Sequence, residues 1–71
     1  MNTYYVLFCL ENNQYLCMDT PTTYTRDFLN AKHFSSKENA IGFLIANGDN
    51  IFQETGLRYF TTREYFDTIS T

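Results

Sequence analysis

Apolar positions along the chain follow two rhythms. From Thr3 to Leu10 the residues are β-branched, aromatic or aliphatic with no breaker, which predicts a strand. Both parities of this stretch are apolar: Tyr4, Val6, Phe8 and Leu10 on one face, Tyr5, Leu7 and Cys9 on the other. Such a strand is central to a sheet, or one of its faces is covered from outside the chain. Glu11-Asn12-Asn13 suits a tight turn, because Asn tolerates positive φ. Gln14 to Asp19 then reads as the partner strand of a hairpin, with Leu16 and Met18 on one face and Tyr15 and Cys17 on the other. The helical rhythm comes later. Ala40, Phe43 and Leu44 fall at i, i+3 and i+4, Ile41 and Ile45 widen the stripe, and Gly48 offers a stop. This predicts a packed helix over 36–46.

Between these segments the signals are weaker. Residues 20–27 hold one Pro, four Thr and no aliphatic side chain, so they read as a surface connection or a binding loop. Residues 28–34 are open between a short strand and an irregular approach to the helix. Residues 49–56 read as a polar connection that holds Ile51 and Phe52, and residues 57–60 as a short strand candidate.

One phrase occurs twice. Phe34-Ser35-Ser36-Lys37-Glu38 returns as Phe60-Thr61-Thr62-Arg63-Glu64, each preceded by a base and a ring residue. The pattern [ST]-x-x-E is a capping box: the hydroxyl accepts from a backbone N–H three residues on, and the carboxylate reaches back to the cap. Ser35 and Thr61 are therefore expected to start helices, the second a short C-terminal helix or turn near 62–69. Internal duplication and independent local preference both account for the repeat.

The expected fold is a single α+β domain over residues 1–71: a small antiparallel sheet led by the hairpin, one packed helix, and the short C-terminal element. The expected core is Phe8, Leu10, Leu16, Phe34, Ala40, Phe43, Leu44 and Phe66. A domain of 71 residues buries a modest share of its surface. Seven Phe and six Tyr offset this, since each ring buries roughly 150–250 Å².

Charge narrows the function classes. The net charge is −3, and the five bases are scattered as Arg26, Lys32, Lys37, Arg58 and Arg63. Without a basic run there is little to neutralise several phosphates, so nucleic acid is a disfavoured partner. A dense acidic array that would mimic nucleic acid is missing too. No stretch approaches a membrane span, and the N-terminus lacks a signal-peptide pattern, so a cytoplasmic protein with reduced thiols is expected.

Candidate chemistry is sparse. His33 is the single histidine, and the spacing of Cys9 and Cys17 matches no common zinc pattern. There is no Gly-rich phosphate loop and no paired-carboxylate arrangement, so neither metal nor cofactor is expected. The tyrosine content favours a protein interface, because Tyr offers a large rigid contact area at low entropic cost. Tyr5, Leu7 and Tyr15 are candidate contacts on the hairpin, joined by Tyr24 and Arg26 on the Thr-rich loop. One helix can hardly cover both hairpin faces, so the uncovered one is expected to meet a second copy in a homodimer or a different partner.

The run Ala31-Lys32-His33-Phe34-Ser35-Ser36-Lys37-Glu38-Asn39-Ala40, followed by Phe43-Leu44, resembles small uncharacterised proteins of bacteriophages and other mobile elements. That resemblance implies a non-enzymatic inhibitor or adaptor acting on host machinery, anti-defence proteins included, in the host bacterial cytoplasm. The leading expectation is thus a protein-binding module. A binder of single-stranded nucleic acid or a nucleotide-derived ligand through aromatic stacking is the alternative. A small enzyme built on Cys9, Cys17 and His33 is the third.

Overall fold

The computed structural model of the chain describes residues 2–19 and 21–67. Four strands, β1 (Asn2–Cys9), β2 (Gln14–Asp19), β3 (Thr22–Thr25) and β4 (Phe60–Asp67), form one antiparallel sheet in the order β3-β2-β1-β4. The main helix, α1 (Lys37–Thr55), lies between β3 and β4 in sequence and packs on one sheet face, and a 3-10 turn spans Phe28–Asn30. The α+β architecture expected from the sequence is the one observed.

The hairpin forms as its residues dictate. Phe8 pairs with Tyr15 and Cys9 with Gln14. Asn13 takes φ 57°, the left-handed conformation that Asn tolerates, and its N–H donates to the Cys9 carbonyl at 3.0 Å. Beyond these pairs β1 and β2 separate, and residues 31–34 fill the gap. Lys32 N–H donates to the Leu16 carbonyl at 2.9 Å, while Tyr5 and Phe34 exchange two backbone hydrogen bonds at 2.9 and 2.8 Å. The ambiguous stretch 28–34 is therefore a 3-10 turn followed by an isolated bridge, Tyr5 to Phe34.

Side-chain alternation divides the sheet into two faces. Tyr5, Leu7, Leu16, Tyr24 and Phe60 join Phe34 and the helix residues Ala40, Phe43, Leu44 and Ile51 in the core between sheet and helix. Four of the expected core residues, Leu16, Phe34, Ala40 and Phe8, are buried, and Phe43 and Leu44 are half-buried against the core. Phe8 is buried on the other face, away from the helix. Leu10 and Phe66 are each 55 % exposed and are not core. Leu10 sits in the hairpin turn, and Phe66 stands near the end of an edge strand.

The helix differs from expectation at both ends. Its cap is Ser36 rather than Ser35: Ser36 Oγ accepts from Asn39 N–H at 3.1 Å, and Ser35 Oγ accepts from the Asn39 side-chain amide at 2.8 Å. The helix also runs through Gly48 to Thr55 and stops at Gly56, whose φ of 74° makes it the left-handed C-terminal residue. Magnitudes explain the extension. A helical Gly costs about 1 kcal/mol relative to Ala, whereas burying an Ile gains about 1.5–3 kcal/mol. The last turns bury Ile51 to 1 % exposure, which outweighs Gly48.

The largest correction is at the second copy of the repeated phrase. Phe60 to Asp67 is a strand rather than a helix start, paired with β1 at eight consecutive positions from Cys9↔Phe60 to Asn2↔Asp67. The expected helix near 62–69 does not form over residues 62–67, and its remainder lies outside the described residues. A helix of two turns is below the length at which helices hold themselves. A β1 strand apolar on both faces needs a second neighbour, and Thr-Thr with flanking rings suits one.

Candidate binding surface

The sheet face away from α1 carries a connected set of rings. Tyr4 and Phe8 come from β1, Tyr15 from β2 and Tyr65 from β4, placed together by the alternation and by the register Tyr4↔Tyr65 and Phe8↔Tyr15. Tyr15 meets Phe8 edge-on at 5.1 Å between centroids and Tyr65 at 6.0 Å. The Tyr15 and Tyr65 hydroxyls hydrogen-bond to each other. Burial, followed by that hydrogen bond, raises the Tyr65 pKa above its ordinary value. The Arg63 guanidinium lies 3.8 Å from the Phe8 ring centroid, a cation–π contact that shelters the ring.

A knob from residues 27–33 covers part of this face. Asp27 caps the 3-10 turn: its carboxylate accepts from Leu29 N–H at 3.0 Å and from the Asn30 amide at 3.2 Å. Thr25 Oγ1 accepts from Asp27 N–H at 3.1 Å, and Cys17 Sγ donates to the Asn30 carbonyl at 3.1 Å. Phe28 stacks on Tyr65 at 4.5 Å with 2° between the ring planes, and His33 stacks on Tyr4 at 4.0 Å. His33 Nε2 lies 3.1 Å from the Phe28 carbonyl. A carbonyl oxygen only accepts, so Nε2 carries the proton of this bond. At the tip Leu29 is 63 % exposed, with Arg26 exposed just before the cap.

The five residues expected as partner contacts do not form one patch. Leu7 is fully buried beneath the helix. This corrects its assignment as a contact: its parity on β1 turns it toward α1, not toward an open face. Tyr5 also lies on the helix side, half-buried, and its hydroxyl donates to Glu64 Oε2 at 2.7 Å. That bond is the main reason its pKa is raised. Tyr24 belongs to β3 rather than to a loop; its ring stacks on Phe60 at 6.4 Å, its hydroxyl shares a hydrogen bond with Thr55 Oγ1 at 2.9 Å, and burial raises its pKa. Tyr15 lies in the aromatic face, half-buried, and Arg26 is exposed beside the knob. Phe28, Leu29, Arg63 and Tyr65 are the surface residues that sequence reasoning did not single out. The apolar pair Phe28-Leu29 straight after a Thr-rich polar stretch was the one local signal.

The geometry bears on the other functional classes. The hairpin face away from α1 is covered within the chain, since Val6 and Phe8 are buried under rings and the knob. One ring face each of Tyr4 and Tyr65, where a base would stack, is occupied by His33 and Phe28. Three cations lie over rings at separate places, Arg63 on Phe8, Arg58 on Phe52 and Lys32 on Phe43, rather than along one groove. Cys9 is buried on the helix side, Cys17 is bound to the knob and His33 is stacked on Tyr4, so these three form no constellation. Among the described residues no three His, Cys, Asp or Glu side chains gather to hold a metal, and no helix is long and apolar enough to cross a membrane. The chain matches no protein-family model, and comparison with curated proteins and with solved structures finds no similar chain.

Proposed function

We propose that the protein is a non-catalytic protein-binding module whose contact surface is the aromatic face with its knob. One observation carries this reading. Leu29 is held largely exposed at the tip of a turn whose backbone and cap are fixed by hydrogen bonds and whose neighbour Phe28 is stacked on Tyr65. An exposed apolar tip on a rigid base loses little freedom on binding, so its burial adds to affinity with a small ordering cost. Arg26 stands beside it, a residue type that gains from desolvation by a partner. The setting suggested by residues 31–44 is that of a phage or mobile-element protein acting as an inhibitor or adaptor of a host protein, anti-defence proteins included.

The test uses an Arg26→Ala, Leu29→Asp double variant. Tyr24 is left intact because it packs against the core. The tagged parent is expected to retain a specific protein from bacterial lysate, and the double variant to lose it while keeping the parent circular dichroism spectrum. Equal retention by a folded variant would place the interface elsewhere. Salt-sensitive binding of oligonucleotides by the parent, with no protein retained, would favour the stacking alternative instead.

A further inference from the structure

We infer that the outer edge of β4 is a self-pairing interface, so that two copies join in a C2 dimer with one continuous eight-stranded sheet. This surface is separate from the knob, and the inference stands independently of the proposed function.

β4 is an edge strand of eight residues, paired with β1 without any register shift. Proteins blunt such edges with short strands, Pro, Lys or bulges, since an open ladder invites pairing. The other edge, β3, follows that rule: it has four residues, and its pairing with β2 shifts between Leu16 and Met18. β4 has no Pro, no Lys and no irregularity. Its two charges at mid-strand do not guard the edge either. Arg63 is drawn back over the Phe8 ring, and Glu64 accepts from Tyr5 on its own sheet.

The backbone shows which groups the edge offers. Tyr59 carbonyl accepts from Leu10 N–H, so odd positions face β1. Tyr5 spends its N–H and carbonyl on Phe34, so its partner Glu64 directs its own N–H and carbonyl outward. Phe60, Thr62, Glu64 and Phe66 therefore present the ladder groups. A two-fold normal to the sheet keeps each side chain on its own face, so opposed residues share parity. Two such registers overlap nearly the whole strand, one centred on Arg63 and one on Glu64. Either register sets like charges opposite each other at its centre, two carboxylates at Glu64 or two guanidinium groups at Arg63. The cationic pair is the less repulsive in a chain of net charge −3, and each guanidinium is already held over its own Phe8 ring. Centring on Arg63 pairs Thr62 with Glu64 and Phe60 with Phe66 of the second copy, twice each. Phe66 is over half exposed and gains an aromatic partner.

The helix supplies the second layer. Ile41, Ile45 and Phe52 share one flank by their spacing of four and seven. Phe52 lies under Arg58, which leads into β4, while Glu54 on the opposite flank accepts from Thr22 N–H of β3 at 2.9 Å. The apolar flank thus borders β4, and Ile45 on it is 79 % exposed. At roughly 3.3 Å per residue the strand edge is about 26 Å long, and sheet plus helix layer is roughly 20 Å deep. An edge of that size is roughly 500 Å² per partner, about 1,000 Å² in all, which reaches the lower bound for a specific interface. A second copy of this strand meets the edge with the same ladder positions and sets its exposed Phe66 against Phe60.

The experiment is analytical sedimentation of the parent and of Thr62→Pro at tens of micromolar. Thr62 N–H faces outward, so Pro there leaves the β1 ladder intact, as edge strands allow. The parent is expected at twice its 8.4 kDa chain mass and the variant at the single mass, with matching circular dichroism. A monomeric parent, or a folded Thr62→Pro dimer, overturns the inference. If Thr62→Pro unfolds, two cysteine variants in a Cys17→Ser background decide. In the Arg63-centred pairing Arg63 faces its copy at a closely spaced, non-hydrogen-bonded position, about 4.5 Å between Cα atoms, which suits a disulfide. Oxidation is expected to cross-link Arg63→Cys and not Glu64→Cys; no cross-link with Arg63→Cys, or an equal one with Glu64→Cys, overturns it.

Discussion

Glu11 fastens the hairpin turn to the chain leading into β4. One of its carboxylate oxygens accepts from the backbone N–H groups of Tyr59 and Arg58, at 2.9 and 2.7 Å. These two donors, Tyr59 first, hold its pKa below the ordinary carboxylate value. Glu54 does the same for β3 through Thr22, with the same direction of shift. The sign follows from linkage. A depressed folded pKa adds stability that is complete above the unfolded value, about 4.3, and is lost as pH falls through the folded one. Glu11→Gln keeps an acceptor and removes the charge. Its melting temperature is expected to lie below the parent's at neutral pH, and the gap to close on acidification toward pH ~3. Melts across that range check this; a gap of constant size would mean the charge has no part in the bond.

At the scale of elements, the repeated phrase shows how far a local signal reaches. Its first copy starts α1 and its second lies in a strand, although both have two hydroxyl residues, a base and Glu. A cap contributes about 1 kcal/mol, and it decides the outcome where a long amphipathic helix follows. Where the alternative is an eight-residue ladder beside an apolar strand, the cap is overruled. Within the first copy the hydroxyl that caps is also specific. Ser36→Ala is expected to destabilise by about 1 kcal/mol, and Ser35→Ala by less than about 0.5 kcal/mol, because Ser35 meets only an exposed amide. Urea unfolding of the two variants checks the order; the reverse order would return the cap to Ser35.

For the molecule as a whole, both faces of the central strand are covered by its own chain, one by α1 and the other by rings and the knob. Tyrosines fasten each layer through their hydroxyls: Tyr5 to Glu64, Tyr24 to Thr55, Tyr65 to Tyr15. All three carry raised pKa values, Tyr5 chiefly through Glu64, Tyr24 and Tyr65 chiefly through burial. A raised folded pKa gives stability that is complete below the unfolded value, about 10, and is lost as pH rises through the folded one. The melting temperature is therefore expected to hold to about pH 9 and to fall above about pH 10, with part of the phenolate absorbance appearing together with unfolding. Reversible ionisation of every tyrosine near its ordinary value, with the circular dichroism unchanged, would contradict this.

The sequence by itself determined the α+β class, the hairpin and its Asn turn, and the start of the helix to within one residue. Each rests on contacts between residues close along the chain, or on composition, and such signals are complete within a short window. Tertiary structure alone decided that Phe60 to Asp67 is a strand, that α1 passes Gly48 to bury Ile51, and that Leu7 turns inward while Leu29 turns out. Those outcomes depend on which distant segment lies alongside. Ile51 is worth burying only because the sheet lies beneath the helix, and Thr61 extends only because β1 needs a neighbour. The aromatic face was hidden for the same reason: its rings come from three strands and a knob, and their parity has meaning only once β4 is paired.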